Sequence, residues 1–440
     1  MAARAGRSMS GSGYGVTQRP GRSASPARMV ALKTLVRVAE DDAYVDRALR
    51  SEASGLDSRE HQLARAIVYA AVQRRETLAY WIEALTGRPA SDLDLQVRIP
   101  LEIGLVQLAF LDRVPPHAAV DESVTLAKSV SNRGGERMVN AVLRRIVREG
   151  FPDLPSDRTP RGAAIVHSVP RWLAERWFAE LGEEGARALL ARCNEPAERA
   201  VRVNTLKSDP ETVRDRLAVA AHGDPELPEA LILDEAVDLE SSDLWAEGAI
   251  VAQSRGAMLA GRILDPQAGE RVLELCAAPG GKTSHLAALM GQGGTGITAV
   301  EQHRGRAEAL RRTLDRLGAG GVRVVEGDAL KPPAALKGQF DAILLDPPCA
   351  ALGTLQRQPD VRWRATPESI DQLSILQERM VEATLPLLAP GGRLLYAVCS
   401  IGPQESDEVL SRTQATVESR RTVLPHIDHT DGFEYALLRQ

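Results

Sequence analysis

Residues 271–283 read RVLELCAAPGGKT. An apolar, strand-like run, RVLEL, passes through a Gly-Gly turn into a helical stretch at 282–290. Small residues in such a turn let the backbone come close to a ligand, and the helix N-terminus adds positive potential. From about residue 249 onward the same alternation recurs. The apolar runs GITAV, VRVVE, FDAILL and RLLYAV are separated by helical stretches at 304–317 and 367–388. The last of these opens on Thr366-Pro367, an N-cap followed by proline at the first helical position. Strand and helix in alternation predict a parallel sheet covered on both faces.

The turn is not a phosphate-binding P-loop. That motif needs a glycine with four residues between it and Gly281, and Cys276 stands there. Acids at the strand ends point elsewhere. Glu301 ends the second run, twenty residues after Gly281, where dinucleotide folds place an acid on ribose hydroxyls. Asp328 closes VVEGD and Asp346 closes ILLD. One such acid is an ordinary cap or turn residue; three at successive strands beside a Gly-rich turn form a pattern. An adenosine-containing ligand fits it, with Glu301 on the ribose and Asp328 near the adenine. No G-x-G-x-x-G is present, which argues against a dinucleotide and favours S-adenosylmethionine.

Three of the four cysteines follow strand-like runs: Cys276 after RVLEL, Cys349 after AILLDPP and Cys399 after RLLYAV. A thiol just past a parallel strand lies on the carboxyl edge of the sheet, where open α/β folds put their chemistry. Asp346-Pro347-Pro348-Cys349 resembles the (D/N)PP(Y/F) element of amino-group methyltransferases, whose aromatic residue stacks on a base. Cysteine cannot stack, but a thiolate can add to an electron-poor carbon. Methylating C5 of a pyrimidine needs such an addition at C6, because C5 is otherwise a poor nucleophile. A second group must then take the C5 proton. A free thiol titrates near 8.5, so few are ionised at neutral pH; Lys282 and the helix N-terminus are candidate activators. The bland alternative is that both thiols are small buried hydrophobes.

Residues 1–25 lack acids and read as a disordered basic tail. Residues 26–150 read as all helical, with Leu32, Leu35 and Val36, then Leu63, Ile67 and Ala71, at helical spacing. Over 136–149, Val139, Val142, Leu143 and Ile146 form an apolar face. Arg137, Arg144 and Arg148 fall on another, which is either a solvated face or a stripe that contacts phosphate. Residues 151–235 read as a small α/β linker domain, with a helix around 170–190 and the strand-like RAVRVNTL. Residues 236–440 form the sheet-and-helix domain.

Apolar residues at 44% and charged residues at 26% are ordinary for globular protein. No run is long enough to span a membrane, and no apolar core near the N-terminus suggests a secretory signal. The scattered cysteines suggest neither a disulfide framework nor a metal site, which points to the reducing cytoplasm. Residues 1–150 hold 22 Lys and Arg against 17 Asp and Glu; the remainder holds 32 against 42. Nucleic-acid contact must therefore come from local basic surfaces.

Taken together, CAAPGGKT, DPPC and the VCS of YAVCSI resemble the ligand loop and two cysteines of the RsmB/Sun members of the NOL1/NOP2/Sun family of RNA (cytosine-5)-methyltransferases. VRVNTLK at 201–207, QRQPDVRW at 356–363, Pro403-Gln404-Glu405 and the terminal DGFEYALLR also fit. VPPHAAVDESVTLAK at 114–128 and ERMVNAVLRRI at 136–146 resemble the NusB-like RNA-binding domain that such enzymes carry. The resemblance covers about residues 26–440. It implies an all-α NusB-like domain, the small α/β domain and a Rossmann-like class I methyltransferase domain.

It further implies that Cys399 attacks C6, that Cys349 assists proton removal and release, and that Asp346 bonds the pyrimidine edge. Cys276, Ala277, Ala278, Pro279, Gly280, Gly281, Lys282, Glu301, Arg306, Asp328 and Asp346 would line the S-adenosylmethionine site. The implied substrate is an unpaired or extruded cytosine in small-subunit (16S) ribosomal RNA, acted on by a monomer without metal or membrane. Val398 stands where the family often has Thr, Ala350-Ala351-Leu352-Gly353 replaces its small-residue segment, and Phe433-Glu434 replaces an aromatic pair. Two other functions stay open: a cytosine-5 methyltransferase acting on another RNA or on DNA, with Cys349 as nucleophile on DNA, and a catalytically weak RNA-binding assembly factor.

Overall fold

The computed structural model describes residues 23–291, 293–332, 336 and 339–439. The basic tail read at 1–25 lies outside them up to residue 22. The chain divides into two compact units at Val169–Pro170.

The first unit is all helical: α1 (Pro26–Glu40), α2 (Val45–Glu52), α3 (Ser58–Gln73), α4 (Arg75–Thr86), α5 (Leu95–Phe110), α6 (Pro116–Val130), α7 (Arg133–Glu149) and α8 (Pro160–His167). Ile99, Leu101, Ile103, Leu105 and Val106 of α5 are all buried. Burial around the whole circumference makes α5 the central helix, wrapped by its neighbours. Asn132 caps α7 by accepting from the backbone N–H groups of Gly134 and Gly135. Helix α7 then buries Val139, Val142, Leu143 and Ile146 and leaves Arg137, Arg144 and Arg148 exposed.

The second unit begins with α9 (Arg171–Arg192), whose two helical stretches meet at Gly182. Then come β1 (Ala200–Val203), α10 (Pro210–Arg216), β2 (Ala221–Gly223), β3 (Ala230–Leu233), α11 (Asp243–Ala246) and β4 (Ile250–Ala252). These strands form an antiparallel sheet in the order β2-β3-β1-β4. There follow α12 (Arg255–Leu264), β5 (Val272–Leu275), α13 (Gly281–Met290), β6 (Ile297–Glu301), α14 (Arg304–Leu317), β7 (Arg323–Glu326), β8 (Phe340–Leu345), α15 (Val361–Arg364) and α16 (Pro367–Thr384). The described chain closes with β9 (Leu388–Val398), α17 (Asp407–Ser411), β10 (Thr416–Val423), α18 (Pro425–Asp428) and β11 (Phe433–Arg439).

The large sheet has the order β10-β11-β9-β8-β5-β6-β7. Strands β5 to β9 are parallel, and β11 runs antiparallel to both β9 and β10. The expected parallel sheet is thus a mixed one. Strand side chains alternate between faces. Val272 packs with Met258 and Leu286, whereas Leu273 and Leu275 pack with Met380 and Val381. Helix α16 stops at Thr384 rather than running to 388, because Pro386 has no N–H to continue it and restricts Leu385. The chain leaves β5 for β6 on one side and returns to β8 on the other. Its topological switch point, where such folds form their crevice, lies between the carboxyl ends of β5 and β8.

Candidate active site

Beyond Leu275 the backbone turns sharply. Cys276 has a left-handed φ of 62°, the Ala278–Pro279 peptide is cis, and Gly280 begins helix α13 at φ 105°. Gly280 cannot be replaced cheaply. A Cβ there would also meet Leu310 Cδ1 at 2.7 Å. Glu301, the last residue of β6, is 3% exposed. Its carboxylate accepts from the backbone N–H groups of Ala278 (3.4 Å) and His303 (3.1 Å). Arg306 lies 3.5 Å from that carboxylate and donates to the Ala278 carbonyl at 3.0 Å. The two side chains therefore clamp Ala278 of the CAAPGG loop at its N–H and its carbonyl. Asp328 lies two residues past β7 and accepts from Leu330 N–H at 2.9 Å.

Strand β8 delivers Asp346 and Cys349, and β9 delivers Cys399. The two sulfurs lie 3.3 Å apart. Lys282 Nζ donates to Asp346 Oδ2 at 2.7 Å and sits 5.4 Å from the centre of the Phe433 ring. Burial alone would favour loss of the Lys282 proton. The Asp346 carboxylate outweighs it, aided by Cys399 and Glu274, and holds the ammonium above its ordinary range. Lys282 thus spends its hydrogen bond on Asp346, not on a thiol. Cys349 is pushed well above the usual thiol range by its bond to Cys399, by burial, and by the charges of Glu405 and Asp346. Either sulfur can donate in the contact between them. Cys276 is pushed up to about 12 by burial and by Asp346 and Glu301, which leaves it a poor nucleophile. Below the site, burial raises Glu274 in β5 to about 8, so it is mostly neutral at pH 7.

Several residues of the site escaped the sequence reading. Glu405, 1% exposed, accepts from Ala350 N–H at 2.8 Å, from Gln377 Nε2 at 2.9 Å and from the Ser400 hydroxyl. Gln377 also donates to Pro348 O at 2.9 Å. Gly353 N–H donates to Cys399 O at 3.0 Å, and Gly432 N–H to Gly353 O at 2.8 Å. Arg202 of β1, fully buried, donates to Gln253 at 2.8 Å and to Ser284 Oγ at 2.7 Å, tying the small sheet to the start of α13. Glu405, Gly432 and Arg202 all fall within segments that carry the family resemblance. Each, however, has a partner more than 50 residues away along the chain, as in Glu405–Ala350 and Arg202–Ser284.

The carboxyl edge thus gathers Cys276 to Lys282, Glu301, Arg306, Asp328, Asp346, Cys349 and Cys399. Arg137, Arg144 and Arg148 belong to the first unit. There Arg144 donates to Asn140 at 2.7 Å, and Arg148 bonds Glu149 at 2.7 Å. Among the described residues no group of three or more His, Cys, Asp or Glu could hold a metal ion. No described helix is long and apolar enough to cross a membrane. The donor set suits an adenosyl amino acid: a close-approach Gly turn, a helix N-terminus, and carboxylates at the end of β6 and past β7 and β8 that can accept from hydroxyl and amino groups.

Three family models match successive parts of the chain. They are the NusB family over residues 25–148, the ferredoxin-like domain of RsmF/B-like methyltransferases over 169–240, and the 16S rRNA methyltransferase RsmB/F over 261–417. A probable ribosomal RNA small subunit methyltransferase B of Synechocystis sp. is 34% identical, covering 94% of this chain and 99% of its own length. The ribosomal RNA small subunit methyltransferase B of Xanthomonas campestris pv. campestris is 33% identical over 94% and 96%. The solved structure of PH0851 superposes with a TM-score of 0.79 at 26% identity, covering 95% of this chain and all of that one.

Proposed function

The chain belongs to the RsmB/F family of 16S ribosomal RNA methyltransferases, and from that premise we propose that it methylates C5 of a specific cytosine in 16S ribosomal RNA through a covalent cysteine–C6 adduct. It is an S-adenosylmethionine-dependent RNA methyltransferase with a NusB-like RNA-binding domain. The observation that carries the finer reading is the pair of thiols 3.3 Å apart beside the Lys282–Asp346 ion pair. One nucleophile alone would need no second thiol at contact distance.

In this reading the Cys399 thiolate adds to C6. The C5–C6 π electrons move onto C5, which becomes enamine-like. Asp346, neutralised by Lys282, faces the N3/N4 edge of the base and stabilises the charge that develops there. S-adenosylmethionine supplies an electrophilic methyl group on a sulfonium. The backbone of Cys276 to Lys282, with Glu301, Arg306, Asp328 and Asp346, would hold it. Once C5 is methylated, Cys349 gives its own proton to solvent and, as the thiolate, takes the proton from C5. The electrons of that C–H bond re-form C5=C6, and the C6–Sγ bond breaks to free Cys399. The cytosine must be unpaired or extruded for a thiol to reach C6. The same reading takes the enzyme to work as a monomer in the cytoplasm.

The test is adduct trapping on denaturing gels with labelled ribosomal RNA and cofactor. Cys349→Ala is expected to accumulate a covalent protein–RNA adduct and Cys399→Ala to form none. The reverse pattern would make Cys349 the nucleophile. Absence of label transfer by the wild type to any ribosomal RNA would favour a non-catalytic assembly factor.

A further inference from the structure

Cys349 is anchored on both sides. The carbonyl before it, Pro348 O, accepts from Gln377 Nε2 at 2.9 Å, and the N–H after it, of Ala350, donates to Glu405 Oε1 at 2.8 Å. The residue after Cys399, Ser400, donates its hydroxyl to the other oxygen, Glu405 Oε2. Gln377 Nε2 also donates to Oε1, Tyr396 OH donates to the backbone carbonyl of Glu405 at 2.7 Å, and it lies 3.1 Å from Gln377 Oε1. Glu405, Gln377, Ser400 and Tyr396 are each at most 1% exposed, so water cannot replace these donors. A single carboxylate, one oxygen to each cysteine loop, thus stands behind the sulfur pair.

We propose that Glu405 is a positioning residue: its buried carboxylate braces the two cysteine loops at contact distance and sets a negative charge beside Cys349 while Cys399 attacks. The proposal rests on the division of labour given above and explains how two like side chains acquire unlike roles. A buried negative charge disfavours a second one nearby. Glu405 and Asp346 both act on Cys349 in this sense, alongside the bond to Cys399. The other titratable groups facing Cys349 are Cys399 and Tyr396. Tyr396 is itself held protonated by burial and by Cys349 and Glu405. Asp346 is neutralised by Lys282. Among the described residues Glu405's hydrogen-bond donors are neutral: Ala350 N–H, Gln377 Nε2 and the Ser400 hydroxyl.

The experiment is iodoacetamide labelling of the full-length protein without RNA, over an alkaline pH series, with Cys349 and Cys399 peptides quantified separately by mass spectrometry. Glu405→Gln keeps the size and removes the charge. It is expected to lower by about one unit the pH at which Cys349 reacts half-maximally. Turnover should fall about tenfold or more, with KM for S-adenosylmethionine unchanged within about twofold. Ser400→Ala keeps the carboxylate but removes one of its donors, so that pH should rise. An unshifted Cys349 profile in Glu405→Gln, with or without loss of turnover, overturns the proposal. So does a downward shift in Ser400→Ala, which decides the matter even if Glu405→Gln is not recovered folded. Labelling requires neither RNA nor methyl transfer, so a wild-type protein without adduct formation would sink the reading of the reaction and leave this result to stand by itself.

Discussion

A methyl group at position 353 has no room beside the turn at Gly432. Gly353 donates to Cys399 O and accepts from Gly432 N–H. A Cβ there would lie 2.1 Å from Gly432 O and 2.6 Å from its carbonyl carbon, both backbone atoms that cannot swing aside. Gly353→Ala is expected to cost about 1–3 kcal/mol, read as a shift in urea midpoint, and to cut turnover while binding cofactor normally. The departures around it are accommodated structurally. Val398 is fully buried in the sheet core, Leu352 is 1% exposed, and Ala351 takes a left-handed φ of 55°. At this scale the groups that gather at the carboxyl edge were legible, because thiols and acids announce themselves by type and by their place after an apolar run. Lys282 shows the limit. Its sequence position made it a candidate activator of a thiol, but only the fold shows that Asp346 takes its hydrogen bond.

Elements carry these groups to one edge because each parallel strand ends on the same side of the sheet. The helix brought in by Thr366-Pro367 does more than cover the sheet, since it supplies Gln377. Its start is a capping box in which the Thr366 side chain and Ser369 each satisfy the other's backbone N–H. Thr366→Ala should lower stability by about 1 kcal/mol in chemical denaturation while leaving methyl transfer near wild type, because Gln377 lies three turns away. The five parallel strands were legible as apolar runs. Strand β10 was not: in TVESRRTV only Val423 is fully buried, so it has no continuous apolar signature. Without it, the antiparallel return through β11 could not be placed. The small sheet was legible only in RAVRVNTL, as its other strands are three or four residues long.

For the molecule as a whole, charge is divided unevenly, with net positive charge in residues 1–150 and net negative charge beyond. If the α7 arginines contact phosphate, replacing Arg137, Arg144 and Arg148 together with Gln should weaken RNA binding and flatten its log–log salt dependence by about 2–3. An unchanged slope would return that face to solvent. Stability should depend on pH through a second buried cluster. His285 donates to Glu229 at 2.7 Å, and Arg262 bonds the same carboxylate. Burial lowers His285 to about 4 despite Glu229. Glu229 is held far below the carboxylate range, because its bonds to His285 and Arg262 overcome its own burial. Both pKa values are depressed by folding. The histidine's contribution is therefore fully present above pH 6.5 and falls by roughly 3 kcal/mol as pH drops towards 4, whereas that of Glu229 is lost only below 4.5. Thermal melts across that window should show the loss, and His285→Gln should flatten it.

The Gly353–Gly432 contact also sets an order in time. Synthesis runs from the N-terminus, so both thiols leave the ribosome well before residues 432 to 439, which pin the first cysteine loop and insert a strand between β9 and β10. A nascent chain that has reached only Cys399 holds both thiols yet lacks the turn that bonds Gly353. Competence is therefore expected only once residues 432 to 439 have joined the sheet beside β9.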